Sequence, residues 1–198
     1  MGDEYGPWVP LDPVEVRRIM RDFPHPWWIA GGWALDMFLG RKTREHEDID
    51  VGLFQRDAVA VRSHLREWDV QWALGGSFRA WEPGYVPAPD EDNVWVRPAP
   101  DAAWAFQLML NPGDETTWVY HRVPSITRPF ADVILRTGDG IPYLAPEVQL
   151  LYKSGSSMGV RPKDQVDFDN VVPQLEDERR TWLRESMLPG HPWAERLR

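Results

Sequence analysis

The residues 29–54, "IAGGWALDMFLGRKTREHEDIDVGLF", place a glycine pair, Gly31 and Gly32, ahead of two aspartates, Asp48 and Asp50, that are separated by one isoleucine. In an extended strand, residues two apart project from the same face about 6.6 Å along the chain, so the two carboxylates can aim at one small volume. Such like charges repel, and one pKa rises unless a cation sits between them. Hard carboxylate oxygens suit Mg2+, which is held by one or two carboxylates together with substrate phosphates. Glycines let backbone approach a ligand closely, and a helix that follows them offers free N–H groups and partial positive charge to a phosphate. Arg41, Lys42 and Arg44 add cations between the two halves. Alone, an Asp-x-Asp is a solvated strand end, a Gly-Gly is a turn, and the cations are a surface cluster favoured near a helix C-terminus. In this order and within so short a stretch, they describe a Mg2+–nucleoside triphosphate site.

The flanking elements can position those groups. "LDPVEVRRIMRDF" reads as a helix capped by Asp12, with Pro13 in its first turn and Val16, Ile19, Met20 and Phe23 at helical spacing. "WWIA" is a short buried strand that feeds the glycine turn, and "WALDMFLG" is a second helix closed by Gly40. "DIDVGLF" alternates, with Asp48, Asp50 and Gly52 on one face and Ile49, Val51 and Leu53 on the other. "RDAVAVRSHLREW" returns to helix. From Val70 to Val123, runs such as "NVWVR" and "WAFQLML" are strand-like, and Pro- and Gly-containing turns separate them. From "LAPEVQLLYKSGS" onward the pattern is helical. The expected class is α/β (α+β), with a small mixed β-sheet core flanked by helices over residues 1–140 and a helical C-terminal lobe over 141–198 that closes one side of a cleft.

Composition narrows the partners. The 198 residues are 42% hydrophobic and 27% charged, which fits a folded globular chain and argues against disorder. The formal charge of −9 repels nucleic acid and anionic membranes and suits a cationic small molecule. With no cysteine, thiolate metal sites and cysteine nucleophiles are excluded. No apolar run approaches the ~18 residues of a membrane span, and "MGDEYGPW" lacks the features of a signal peptide, so a cytoplasmic protein without membrane partners is expected.

The segment "GGWALDMFLGRKTREHEDIDV" resembles the DNA polymerase β-like nucleotidyltransferase superfamily. Within it, the segment is similar to the aminoglycoside 2''-nucleotidyltransferase and lincosamide nucleotidyltransferase group, which shares GGW, a following Asp, G-R-x-T-R, His and D-x-D. "YLAPEVQLLYK" and "RPKDQVDF" are more loosely similar to C-terminal helices of relatives. The resemblance implies ATP and Mg2+, and transfer of AMP to a hydroxyl of a small molecule such as an aminoglycoside-like antibiotic. It implies that Gly31 and Gly32 hold the triphosphate and that Asp48 and Asp50 ligate metal and carry catalysis. It further implies that Arg41 and Arg44 contact phosphates or order the loop; for Arg44 and His46, bracing that loop is an equal alternative. Asp36, inside the second helix, reads as structural.

Such a site normally has a third carboxylate on a neighbouring strand, as metal ligand or general base. The strand best placed to supply it, "WAFQLML", offers Gln107, which neither takes a proton nor carries negative charge. Asp92, Asp101, Asp114, Glu115 and Asp132 are the other acids available. Either one of them serves, or the chain is a weak or inactive nucleotide-binding protein. A toxin–antitoxin-type transferase acting on protein or RNA is a further alternative, and the acidic surface argues against RNA. Lys153 and Lys163 are basic groups of the C-terminal part, and Lys163 can reach the phosphates or pair with Asp167 along its helix. Trp81, Trp95, Trp104 and Trp118 are candidates for an acceptor pocket, with core packing the commoner use of each.

Overall fold

The structure is a computed structural model that describes residues 6–75, 77–156 and 159–198. The first helix, α1 (Pro13–Ile19), starts where the sequence predicts. The Asp12 carboxylate accepts from Glu15 N–H at 2.8 Å and the Glu15 carboxylate accepts from Asp12 N–H at 2.8 Å, a reciprocal cap. Strand β1 (Trp27–Ile29) leads through Ala30 into α2 (Gly31–Leu39), which ends on Gly40 at φ +65°. Then come β2 (Asp50–Phe54), a 3-10 turn at Gln55–Asp57 and α3 (Ala58–His64). The middle of the chain supplies β3 (Asp69–Leu74), β4 (Ser77–Ala80), β5 (Asn93–Arg97), β6 (Phe106–Asn111), β7 (Thr117–Val119) and β8 (Thr127–Pro129). A short α4 (Phe130–Val133) precedes β9 (Ile134–Arg136) and β10 (Pro142–Leu144). Helices α5 (Pro146–Ser154), α6 (Pro162–Val171) and α7 (Asp177–Ser186) follow, and the chain ends in a 3-10 segment, Pro192–Leu197.

Eight strands form one sheet in the order β4-β3-β5-β6-β2-β1-β10-β9, and β7 and β8 pair separately. Strands β2 and β6 run parallel, as do β1 and β10, and the remaining neighbours are antiparallel. The mixed sheet with flanking helices is the architecture expected from the sequence. The expected boundary at residue 140 falls inside the β9–β10 hairpin. The buried run Pro142–Leu144 pairs with β1, so the sheet extends beyond that boundary and the helices begin at Pro146. Eight of the nine residues of α5 are buried, and α5 packs against α2, α6 and α7. Among the described residues, no helix is long and apolar enough to cross a membrane.

Side-chain alternation along β2 separates core from cleft. Ile49, Val51 and Leu53 are buried on one face, while Asp50 and Gly52 share the other. Gly52 lies opposite Trp28 in the β1–β2 register, and the Trp28 indole covers it so closely that a Cβ would meet the ring. The missing side chain therefore lets a fully buried tryptophan lie flat beside the aspartates. Adding even one methyl there forces displacement of Trp28, and overpacking of this kind costs about 1–3 kcal/mol. Gly52→Ala is expected to lower the stability measured by urea unfolding by that amount, with the same m-value.

Candidate active site

The glycine turn and the aspartates come together at one end of the sheet. Ala30 N–H donates to the Asp50 carbonyl at 2.8 Å, which locks β1 to β2 where the chain enters α2. Gly31 then adopts φ +66°, and a Cβ there would collide with the Asp50 carboxylate. Only glycine satisfies both the backbone angle and the approach. Ala30 gives α2 no side-chain cap; instead Gln149 of α5 accepts from Gly31 N–H at 2.8 Å. Gly32 lies equally close to Arg44 and His46, and a Cβ there would meet both side chains.

The loop between α2 and β2 is held from below by Asp36, which is 4% exposed. Asp36 accepts from Thr43 N–H at 3.1 Å, from Thr43 Oγ1 at 2.5 Å, and pairs with His46 Nε2 at 2.6 Å. The His46 ring packs on Trp33, with centroids 4.5 Å apart, and burial lowers its pKa. Asp36 and His46 thus brace the loop. Arg44 also braces it while facing the cleft. Its Nε and Nη2 donate to the two oxygens of Asp167 on α6, at 2.9 and 3.0 Å. Arg41 stands apart. It follows the left-handed turn at Gly40, is exposed, and is not among the residues that line the cleft.

The cleft has a volume of about 380 Å3 and is lined by Gly31, Gly32, Arg44, Asp48, Asp50 and Lys163 among others. Asp50 opens β2, whereas Asp48, expected on the same strand, lies in the irregular segment just before it, yet both line the same space. Burial, and then the neighbouring Asp48 charge, push the Asp50 carboxyl up to about 7. Nearby Lys153, Lys163 and Arg161 pull the other way. Lys153 is itself buried and bonded to Asp164 at 2.7 Å and Asp167 at 2.9 Å. Arg161 donates to Asp164 at 2.6 and 3.1 Å. Burial opposes ionisation of Asp164 and Asp167, but these partners hold both below the ordinary carboxylate range. Lys163 pairs with Glu47 at 3.3 Å across the chain rather than with Asp167 along its helix. Lys153, Arg161, Arg44 and Lys163 therefore form a cationic wall beside the aspartates.

The third acid is absent from its expected place. In the parallel β2–β6 register Gln107 lies directly opposite Asp50, and its Nε2 donates to Asn93 Oδ1 at 2.7 Å. Asp114 holds its own turn by accepting from Thr116 and Thr117 N–H, Glu115 pairs with Arg56, and Asp101 and Asp132 are exposed outside the cleft. Asp92 pairs with His121 at 3.2 Å and is not among the lining residues. Among the described residues, no group of three or more His, Asp or Glu side chains could hold a metal alone. A donor set of two carboxylates with open positions still fits Mg2+ completed by phosphate oxygens, and such a cation would relieve the repulsion that raises Asp50.

Of the four tryptophans considered for an acceptor pocket, Trp81, Trp104 and Trp118 are core residues, each at most 1% exposed, and Trp95 alone lines the cleft. Sequence reasoning did not single out Asn93, Asn111, Arg122, Gln149, Tyr152 or Arg161, which also line it. Gln149 and Tyr152 lie within "YLAPEVQLLYK" and Arg161 opens "RPKDQVDF", the two loosely similar segments, whereas Asn93, Asn111 and Arg122 come from separate elements and share no motif.

The Asp50 shift has a definite sign for stability. Its folded pKa of about 7 exceeds the ordinary aspartate value of 3.8, so the folded chain retains a proton that the unfolded chain releases between these values. Apo stability falls as pH rises through that window, by at most about 1.4 kcal/mol per unit, and levels off above it. Asp50→Asn should therefore be more stable than the parent in urea unfolding without metal, by a margin that widens from pH 4 to pH 7 and then stays constant.

A family model described as Aminoglycoside-2''-adenylyltransferase matches residues 14–71. A stretch of 26 residues is 65% identical to 2''-aminoglycoside nucleotidyltransferases of Escherichia coli and Klebsiella pneumoniae, and it covers 13% of this chain and 15% of each relative. The fold is similar to that of the lincosamide antibiotic adenylyltransferase LnuA with lincomycin bound, at TM-score 0.53 and 17% identity over 80% of this chain and 92% of the other. It is also similar to ANT(2'')-Ia in complex with adenylyl-2''-tobramycin, at TM-score 0.57 and 12% identity over 88% and 95%. In its signature segment and in its fold, the chain is thus similar to the aminoglycoside and lincosamide nucleotidyltransferase group.

Proposed function

We propose that the protein is a Mg2+-dependent nucleotidyltransferase that moves AMP from ATP to a hydroxyl of a small, antibiotic-like molecule. The observation that carries this reading is the placement of the Asp50 carboxyl directly beneath the left-handed turn at Gly31, in a cleft shared with Asp48 and a row of basic side chains. The start of α2 offers N–H groups and partial positive charge to a phosphate, although Gln149 already takes the Gly31 donor. Lys163 and Arg161 reach the same cleft from α6 and its N-terminal approach, where they can offset triphosphate charge. Mg2+, when bound, would neutralise the two aspartates and stabilise the charge that develops on the transferring phosphoryl group.

In the reaction the acceptor oxygen bonds to the α-phosphorus, the bond from that phosphorus to the bridging oxygen of the pyrophosphate breaks, and pyrophosphate leaves. The acceptor hydroxyl must also lose its proton. Gln107, opposite Asp50, cannot take it. That single substitution of amide for acid favours a second reading, in which the chain binds nucleotide and transfers it slowly or not at all.

Thermal shift and pyrophosphate release separate the two. ATP with Mg2+ is expected to raise Tm, and Asp48→Asn or Asp50→Asn to remove both that shift and any turnover. Arg41→Ala should leave both within about twofold, since its side chain lies outside the cleft. A shift without pyrophosphate release from any hydroxylated acceptor selects the binding-only reading, and an unchanged shift in Asp48→Asn rejects the site.

A further inference from the structure

The wall of the cleft opposite the glycine turn differs in chemistry from the cationic side. It is built from Asn93 of β5, Gln107 and Asn111 of β6, Tyr152 of α5 and Arg122, with Trp95 as its flat apolar member. Among the described lining residues, only Asp48 and Asp50 carry carboxylates, and those are the candidate metal ligands. Gln107 Nε2 is bonded to Asn93 Oδ1, so the Gln107 carbonyl and the Asn93 amino group have no partner among the described residues. Asn111 gives its amide N–H to the Met109 carbonyl at 2.7 Å and accepts the Tyr152 hydroxyl at 3.0 Å. Arg122 donates to the Tyr152 carbonyl and has no carboxylate within salt-bridge range among the described residues. Asp92, the residue before Asn93, pairs with His121 at 3.2 Å and also feels the Arg122 charge.

An open acceptor beside an open donor matches a hydroxyl, which does both. An ammonium group has three donors and no acceptor; here it would find no counter-ion and would face the Arg122 charge. In a partly enclosed cleft that repulsion is screened less than on the surface. The acidic residues behind the formal charge of −9 are, apart from Asp48 and Asp50, outside the lining of this cleft, so the overall charge does not by itself describe this wall.

Resting on the transfer reading above, we infer that the acceptor is an uncharged or singly charged polyhydroxyl compound, recognised by the Asn93–Gln107 amide pair and Arg122, and not a polyammonium sugar. A site built to pair hydroxyls discriminates strongly because a mismatched ligand leaves its polar groups unpaired.

The test is calorimetry on the full chain loaded with Mg2+ and a non-hydrolysable ATP analogue, with lincomycin as the singly charged probe and tobramycin as the polyammonium probe. Failure of the analogue to bind would reject the transfer reading itself and is measured first. With the analogue bound, lincomycin is expected to bind at least about tenfold more tightly than tobramycin at physiological ionic strength. Gln107→Glu and Arg122→Glu, each adding negative charge to this wall, should shift the preference toward tobramycin by at least about tenfold. Should neither probe bind the parent, a gain of tobramycin binding in either variant supports the inference and no gain in both overturns it. Tobramycin binding the parent as tightly as lincomycin, or a preference unmoved in both variants, also overturns it.

Discussion

One close approach organises this molecule: the peptide at Gly31 rests against the carboxylate of Asp50. A side chain at that position would occupy the space of the carboxylate, and the backbone there takes an angle that other residues resist. The contact sets the spacing between the start of α2 and the first residue of β2. Around it the fold removes freedom. The Ala30–Asp50 backbone bond fixes the strands, Asp36 fixes the intervening loop, and Gly52 admits Trp28 as a flat neighbour. The carboxylate is left beside Asp48 with its burial only partly offset by Lys153, Lys163 and Arg161, an unfavourable arrangement that a bound cation would reverse.

The cations beside it are arranged differently. Arg44, Lys153 and Arg161 are chained through Asp167 and Asp164, so each positive charge is already hydrogen-bonded before any ligand arrives. Buried charges survive in a folded chain only when paired in this way, and removal of one partner strands the other. The chain of pairs joins the loop before β2 to α5 and α6, and it holds the basic groups at fixed positions with little further ordering required.

Local patterns carried much of this in the sequence. The Asp12 cap, the Gly40 stop and the alternation through Leu53 are short-range rules; α1 and α2 formed where those rules place them, whereas β2 begins at Asp50 and leaves Asp48 just outside the strand. The glycine pair and the two aspartates were legible for the same reason, as all lie within one short segment. Arg41 lies exposed outside the cleft, because a basic residue near a motif gives no sign of whether the turn at Gly40 will bring it to the site. The strands β8, β9 and β10 are three residues each, too short for periodicity to register, and tertiary pairing decides them. The opposite wall was illegible because Asn93, Asn111, Arg122 and Tyr152 meet only once the sheet and α5 have assembled.

The bond from Gly31 N–H to Gln149 crosses from the first quarter of the chain to the last third. A recognisable N-terminal signature therefore does not make a portable module here. The opening peptide of its helix is anchored by a residue more than a hundred positions downstream, so grafting or excising the signature alone would leave that anchor behind, and recombination of such genes is constrained to keep both ends together.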